Sequence, residues 1–148
     1  MSKLPNISFA TTHHIRDKCI CLHMQRAARV LARRFDEALR PLDLTNGQFS
    51  LLTSLNRPEP ARMGSVATLL AMDRTTLTAA LKPLERRGLV VIEQDPEDGR
   101  SRLLSLTPEG HQLLSEAFPL WQQTHAEIEK DFAEGEVDKL RGHLRALS

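Results

Sequence analysis

The chain has 148 residues, of which 41% are hydrophobic, 26% charged and 4% aromatic, and its formal net charge is +1. That length suits one compact domain or a small lobe with appendages, and the composition excludes a wholly disordered chain. No stretch reaches the roughly 20 apolar residues of a membrane-spanning helix, and the opening MSKLPNISFATTHH lacks the apolar run of a secretory signal. A cytoplasmic location without a membrane partner is therefore expected, and two cysteines cannot build a disulfide scaffold.

The total charge hides an uneven distribution. Residues 1–41 carry a net of +5, residues 42–61 of −1, residues 62–102 of +1 and residues 103–148 of −4. Between positions 74 and 87, Arg74, Lys82, Arg86 and Arg87 stand against Glu85 alone. A local basic stretch can be a nucleic-acid footprint in a neutral protein, because counterion release depends on local phosphate contacts. A solvated helix face is the other reading of the same charges.

In chain order, residues 1–14 show no period and read as a flexible arm. Ile20, Met24, Ala27, Leu31, Phe35, Ala38 and Leu42 recur at steps of three and four, which predicts one helix over residues 15–42. Apolar Cys19, Leu22 and Val30 off that stripe suit a helix buried on two faces, as at a subunit interface. Thr45 and Gln48 have capping-box spacing, with Leu44 and Phe49 as a hydrophobic staple, so a second helix starts there and buries Phe49, Leu52 and Leu55. The prolines of residues 56–60 end it.

A short helix is expected over residues 64–70, then a tight turn at Ala71-Met72. Asp73 caps a further helix over residues 74–87, which buries Leu77, Ala80, Leu81 and Leu84. Pro83 should bend that helix, and Gly88 should end it in a left-handed cap. Leu89-Val90-Val91-Ile92 and residues 102–106 are β-prone, and the turn-rich Asp95-Pro96-Glu97-Asp98-Gly99 between them makes a hairpin. Thr107-Pro108 opens a long helix with a kink expected near Pro119, and Gly135 separates a last helix bearing Val137, Leu140, Leu144 and Leu147.

Helix, tight turn, helix and hairpin is the winged helix-turn-helix order. A second helix of that kind is narrow enough for the major groove of double-stranded DNA. Arg can donate two bonds to guanine, and Thr can bond a base edge or meet a thymine methyl. The outward face Arg74, Thr75, Thr76, Thr78, Lys82 and Arg86 has that chemistry. Arg86 and Arg87 can equally be a solvated helix end, where cations meet the macrodipole favourably. Asp98 would repel phosphate and is expected to shape the hairpin tip.

The run MGSVATLLAMDRTTLTAALKPLERRGLVVIEQDPEDGRSRLLSLTPEG resembles the DNA-binding core of the MarR family of transcriptional regulators. The Asp98-Gly99-Arg100 tip leading to Leu106-Thr107-Pro108-Glu109-Gly110 is similar to the family's wing signature, and Leu44-Thr45-Asn46-Gly47-Gln48-Phe49 to its second-helix start. The resemblance extends over residues 15–148. It implies a mainly α fold with a small β-hairpin wing: a DNA-binding domain at 44–107 and a helical dimerisation region at 15–43 and 108–148. It implies a recognition helix at 74–86, Arg100 inserted into a minor groove with Arg102 on the same wing, and Ser65 near phosphates. The implied partners are a pseudo-palindromic operator, a second copy of the chain and a small organic effector, with the protein acting as a repressor. Ala71 stands where the family often has Gly, which matters little in a turn that is αR throughout.

Two sensing chemistries remain open. Met24, Phe49, Trp121 and His125 would line the effector pocket, or serve as ordinary core. Cys21 lies near the first-helix position at which peroxide-sensing relatives place their reactive cysteine, so Cys19 and Cys21 are either redox-active or packed. Positions two apart on a helix point in roughly opposite directions, so a bond between them needs the helix broken, and bonds across a dimer or to small thiols are expected ahead of it. The scattered His13, His14, His23, His111, His125 and His143 form no ligand pair, and no metal or cofactor is expected. No G-x-S-x-G elbow, phosphate loop or H-E-x-x-H is present, which excludes the commonest enzyme motifs. A thiol peroxidase using Cys21 is the remaining enzyme reading.

Overall fold

The computed structural model describes Leu4 and residues 6–148. The chain divides into two compact units, residues 1–34 and residues 35–148.

In the N-terminal unit the expected arm is only partly within the described residues, and its last part is helical. Helix α1 runs Phe9–Lys18, with the Ser8 hydroxyl accepting the Thr11 amide at its start. This corrects the helix start from residue 15, because the Ser8 cap supplies an N-terminal signal that the apolar period does not carry. The expected single helix is also interrupted. Cys19 leaves helical geometry at φ −70°, ψ 108°, and α2 begins beyond it as Ile20–Leu39. The Cys19 Sγ accepts the Leu22 amide at 3.4 Å, standing where a Ser or Asp cap would. No residue of α1 is buried, and Ile20, Met24 and Leu31 of the apolar stripe are exposed in the single chain.

The second unit begins with the foot of α2. Leu39 is buried, Pro41 sits in a 3-10 turn at Arg40–Leu42, and Asp43 takes the left-handed conformation at φ 53°. Helix α3, Asn46–Ser54, has the expected capping box: the Thr45 hydroxyl accepts the Gln48 amide and the Gln48 side chain accepts the Thr45 amide. A short strand β1, Ala61–Arg62, leads directly into α4, Met63–Leu69, and Asp73 caps α5, Arg74–Arg86. Strands β2, Val90–Gln94, and β3, Arg102–Leu106, form the expected hairpin with Ile92 opposite Leu104. The expectation of a bare hairpin is corrected by β1, which pairs antiparallel with β3 to give the order β1-β3-β2. Two residues are too few to show a strand period.

Thr107 caps α6, Pro108–Glu129, with Pro108 in the first turn, and α7, Glu136–Ala146, follows the left-handed Gly135. Helices α5 and α6 continue through Pro83 and Pro119 without ending. The core gathers Leu39, Leu52, Val66, Leu77, Leu81, Leu84 and Leu104, all fully buried. Each contributes roughly 1.5–3 kcal/mol by leaving water, and together they hold α3, α4 and α5 onto the sheet. Leu69, apolar but outside this core, is 62% exposed.

The turn between α4 and α5 is a further correction. Ala71 is left-handed at φ 52°, and the Met72 amide reaches back to the Ala67 carbonyl at 2.9 Å. That is a Schellman ending with Ala where Gly is usual, so the turn is not αR throughout. The left-handed form costs an L residue roughly 1–2 kcal/mol, partly offset by the greater chain entropy Gly would lose. Ala71→Gly is expected to stabilise the fold by about 0.5–1 kcal/mol, read from the urea midpoint. A lower midpoint would show that the turn relaxes away from this geometry.

Candidate nucleic-acid interface

Helix α5 buries Leu77, Leu81 and Leu84 and leaves Arg74, Thr75, Thr76, Thr78, Lys82 and Arg86 exposed on its other faces. Its start is fixed by Asp73, whose carboxylate accepts the Thr76 amide at 2.7 Å and the Thr76 hydroxyl at 2.9 Å. Those bonds, the amide first, hold the Asp73 carboxyl below the usual carboxylate range. The Thr78 hydroxyl donates to the Arg74 carbonyl at 2.7 Å. With their protons committed, Thr76 and Thr78 present lone pairs and methyl groups outward, which suit a base amino group or a thymine methyl. Among the described residues Thr75, Lys82 and Arg86 have no side-chain hydrogen bond or ion pair, so their groups are available to a ligand.

The loop between β2 and β3 is built by its two aspartates, as expected for Asp98. Asp95 is buried, and its carboxylate accepts the Glu97 amide at 2.9 Å, while Asp98 accepts the Arg100 amide at 3.0 Å. Backbone bonds from Asp95 to Ser101, from Asp98 to Asp95 and from Ser101 to Asp98 close the loop. The Arg100 guanidinium is left exposed with no partner among the described residues. Arg102 differs: its Nη1 donates to the Gly99 and Ser101 carbonyls at 3.2 and 3.3 Å and so braces the tip.

Arg62, Gly64, Ser65, Arg74, Asp98 and Arg100 surround an open groove of about 610 Å³ between α4, the start of α5 and the tip. A Cβ on Gly64 would lie 2.9 Å from Arg74 Nη2, so the glycine lets that guanidinium lie against α4. Three arginines and one aspartate line the groove, a net positive charge that suits an anion. Arg62 also faces the otherwise unpartnered Asp95 Oδ2 at 3.8 Å, tying β1 to the loop. Sequence reasoning missed Arg62 and Gly64, because the short strand that aims Arg62 has no period and Gly64 matters only through Arg74.

Phe49 and Trp121 line an open groove of about 930 Å³ together with Arg57, Leu69, His111 and Phe118. Trp121 stacks with Phe49 and Phe118 at ring distances of 6.2 and 6.0 Å. His125 lies 5.0 Å from the Trp121 ring but does not line the groove, and Met24 belongs to the N-terminal unit. Cys21, also in that unit, is exposed and receives a bond from Gln25 at 3.3 Å, whereas Cys19 is half-buried. Among the described residues there is no metal-ligand cluster, and no helix is long and apolar enough to cross a membrane.

An exposed helix behind a tight turn, flanked by a small sheet with an arginine at its tip, defines a winged helix-turn-helix module. Residues 44–101 match the model of the MarR family. The chain is 31% identical over 98 residues to the organic hydroperoxide resistance transcriptional regulator of Bacillus subtilis (strain 168), covering 66% of this chain and 67% of that protein. It resembles the crystal structure of the M. tuberculosis transcriptional regulator MosR in complex with DNA, at 35% identity and a TM-score of 0.80, over 88% of this chain and 93% of that one. A mutant MarR from E. coli complexed with operator DNA superposes with a TM-score of 0.81 at 26% identity, over 90% of this chain and 96% of that one. The chain belongs to the MarR family of transcriptional regulators.

Proposed function

We propose that the protein is a homodimeric, sequence-specific regulator of transcription that binds a pseudo-palindromic DNA operator and represses until an effector releases it. The observation that carries this reading is the alignment of unpartnered cations and outward threonines on α5 with an arginine-lined groove and the free Arg100 tip. Arg74, Thr75, Thr76, Thr78, Lys82 and Arg86 meet the major groove and its phosphates, Ser65 meets a phosphate, and Arg100 reaches a minor groove. Arg102 acts first on the tip and through it on DNA. Two of the related structures carry DNA, which supports the assignment.

A second copy is supported by apolar surface that the single chain leaves uncovered: Ile20, Met24 and Leu31 near one terminus and Leu140, Leu144 and Leu147 near the other. The net +5 of residues 1–41 and −4 of residues 103–148 are complementary across such a pair. The aromatic groove at Phe49 and Trp121, with Arg57 beside it, suits a small organic effector. The test is enrichment from a pool of random duplexes, with the mass of the complex measured in solution. A two-fold symmetric consensus bound by two chains is the expected result, and no enrichment over random sequence would end this reading.

One observation favours thiol sensing as a second reading. The helix is broken at Cys19, which removes the obstacle to a bond between Cys19 and Cys21. An organic hydroperoxide would take two electrons and two protons from the two thiols, leaving a disulfide, an alcohol and water. The B. subtilis relative is named for organic hydroperoxide resistance. Cumene hydroperoxide is expected to lower duplex binding by the native chain but not by Cys21→Ser, and an equal response of the two would remove the reading.

A further inference from the structure

We propose that Arg87 is a positioning residue for DNA recognition, anchoring the C-terminal end of α5 against the foot of α2 without touching nucleic acid. The proposal rests on the reading that α5 meets DNA. From the sequence, Arg87 looks like Arg86, a cation at a helix end. The structure separates them. Arg87 Nη1 donates to the Asp43 carbonyl at 2.6 Å and Nη2 to the Leu42 carbonyl at 3.2 Å, across 44 and 45 residues of chain. Among the described residues Arg86 has no such partner, and it is exposed. Successive helical residues lie about 100° apart, so one of two adjacent arginines can face the α2 foot while the other faces away.

The receiving surface is built for a fork. A 3-10 turn ends at Leu42, and the left-handed Asp43 presents the carbonyls of two successive residues to one guanidinium. Carbonyls at such an ending lack helical partners and need a donor. The turn is itself spanned by a second bond pair, in which Asp36 Oδ1 accepts the Asn46 amide at 2.7 Å and its side-chain amide at 2.8 Å. Arg87 therefore grips a fixed point.

Helix α5 needs that grip at this end. Pro83 has no N–H and leaves the Ala79 carbonyl without its helical donor, which weakens the ladder one turn before the helix stops. Gly88 then turns the chain away at φ 72°. Lys82 and Arg86, two of the cations that face DNA, ride on this last stretch. Arg87 sets where they point, and one donor of each of its terminal nitrogens is committed to the turn.

The experiment uses the full chain, the duplex enriched from the random pool, and affinity measured across a salt series. Arg87→Ala is expected to weaken binding about 5- to 10-fold, with the slope of log affinity against log salt unchanged, because no phosphate contact is lost. Lys82→Ala, run beside it, should flatten that slope by about one. Arg87→Lys, which can reach one carbonyl but lacks the planar fork, should recover part of the loss and covers the case of an Ala variant that does not fold. Urea unfolding confirms which variants are folded at the assay temperature. A slope that falls by about one in Arg87→Ala would make Arg87 a phosphate contact and overturn the proposal. Unchanged affinity in a folded variant would reduce it to a stability residue and overturn it equally. If the native chain shows no salt-dependent duplex binding, the reading of α5 itself fails, and that outcome is distinct from both.

Discussion

Arg100→Ala is expected to weaken DNA binding by about 10- to 100-fold while leaving the fold intact. The size of the effect follows from isolation. Arg100 stands on a loop whose shape is fixed by Asp95 and Asp98, and only its backbone amide is used to hold that shape. Removing the guanidinium therefore costs the folded chain nothing, so any loss of affinity is a loss of contact. Arg102 provides the contrast, since its Nη1 donates to the Gly99 and Ser101 carbonyls and braces the tip. Arg102→Ala should loosen the tip and weaken binding less than Arg100→Ala. Fluorescence anisotropy with a labelled duplex at one fixed salt concentration separates the two, and native affinity in Arg100→Ala would take the wing tip out of the interface.

Gly110→Ala is expected to destabilise the protein by about 3 kcal/mol, a reversal of what helix propensity alone gives. An exposed helical Gly→Ala exchange normally stabilises by roughly 1 kcal/mol. Here the added Cβ would lie 2.1 Å from the Leu89 carbonyl oxygen, a backbone atom that cannot swing aside. That carbonyl also accepts the Thr107 amide, and the Thr107 hydroxyl donates to Gly88 while accepting the Gly110 amide. The first turn of α6 is thus sewn to the start of the sheet with no room between them. Gly142 is the internal control, because nothing lies within 4 Å of a Cβ placed there. Gly142→Ala should raise the urea midpoint while Gly110→Ala lowers it, and matched shifts would show that the close approach at Gly110 relaxes at little cost.

The parts of this fold that the sequence discloses are those with a local cause. The Thr45 capping box, the Asp73 cap, the Gly88 ending and the Thr107-Pro108 start each depend on residues within a turn of one another, and each is present. The buried leucines of α5 follow from its period in the same way. What was not legible depends on geometry set elsewhere. The break at Cys19 interrupts an apolar stripe that continues on both sides, so the period runs across it. Strand β1 exists because β3 receives it, and two residues cannot announce that. Ala71 occupies a left-handed position that its own side chain disfavours, so its conformation is imposed by the packing of α4 against α5.

The candidate site divides along the same line. Residue type and helical spacing place Arg74, Thr75, Thr76, Thr78 and Lys82 on one outward surface, and that surface exists. Neither property reveals which donors are already used. Arg86 and Arg87 are identical neighbours in sequence and opposite in engagement, and Arg100 and Arg102 differ in the same sense. Arg57 and His111, which carry no apolar signal, line the groove beside Phe49 and Trp121.

The two-residue strand β1 has a consequence for how this protein can change. Because Ala61 and Arg62 pair with Leu104 and Leu103, and α4 starts at the next residue, the distance from Ser65 to the Arg100 tip is fixed by ladder register. The proline-rich connection at residues 56–60 lies upstream of that ladder. Insertions and deletions there can accumulate without altering the spacing between helix and wing, while one residue added between Arg62 and Gly64 would shift the whole frame. Drift in loop length is thereby insulated from the spacing between the helix and the wing tip.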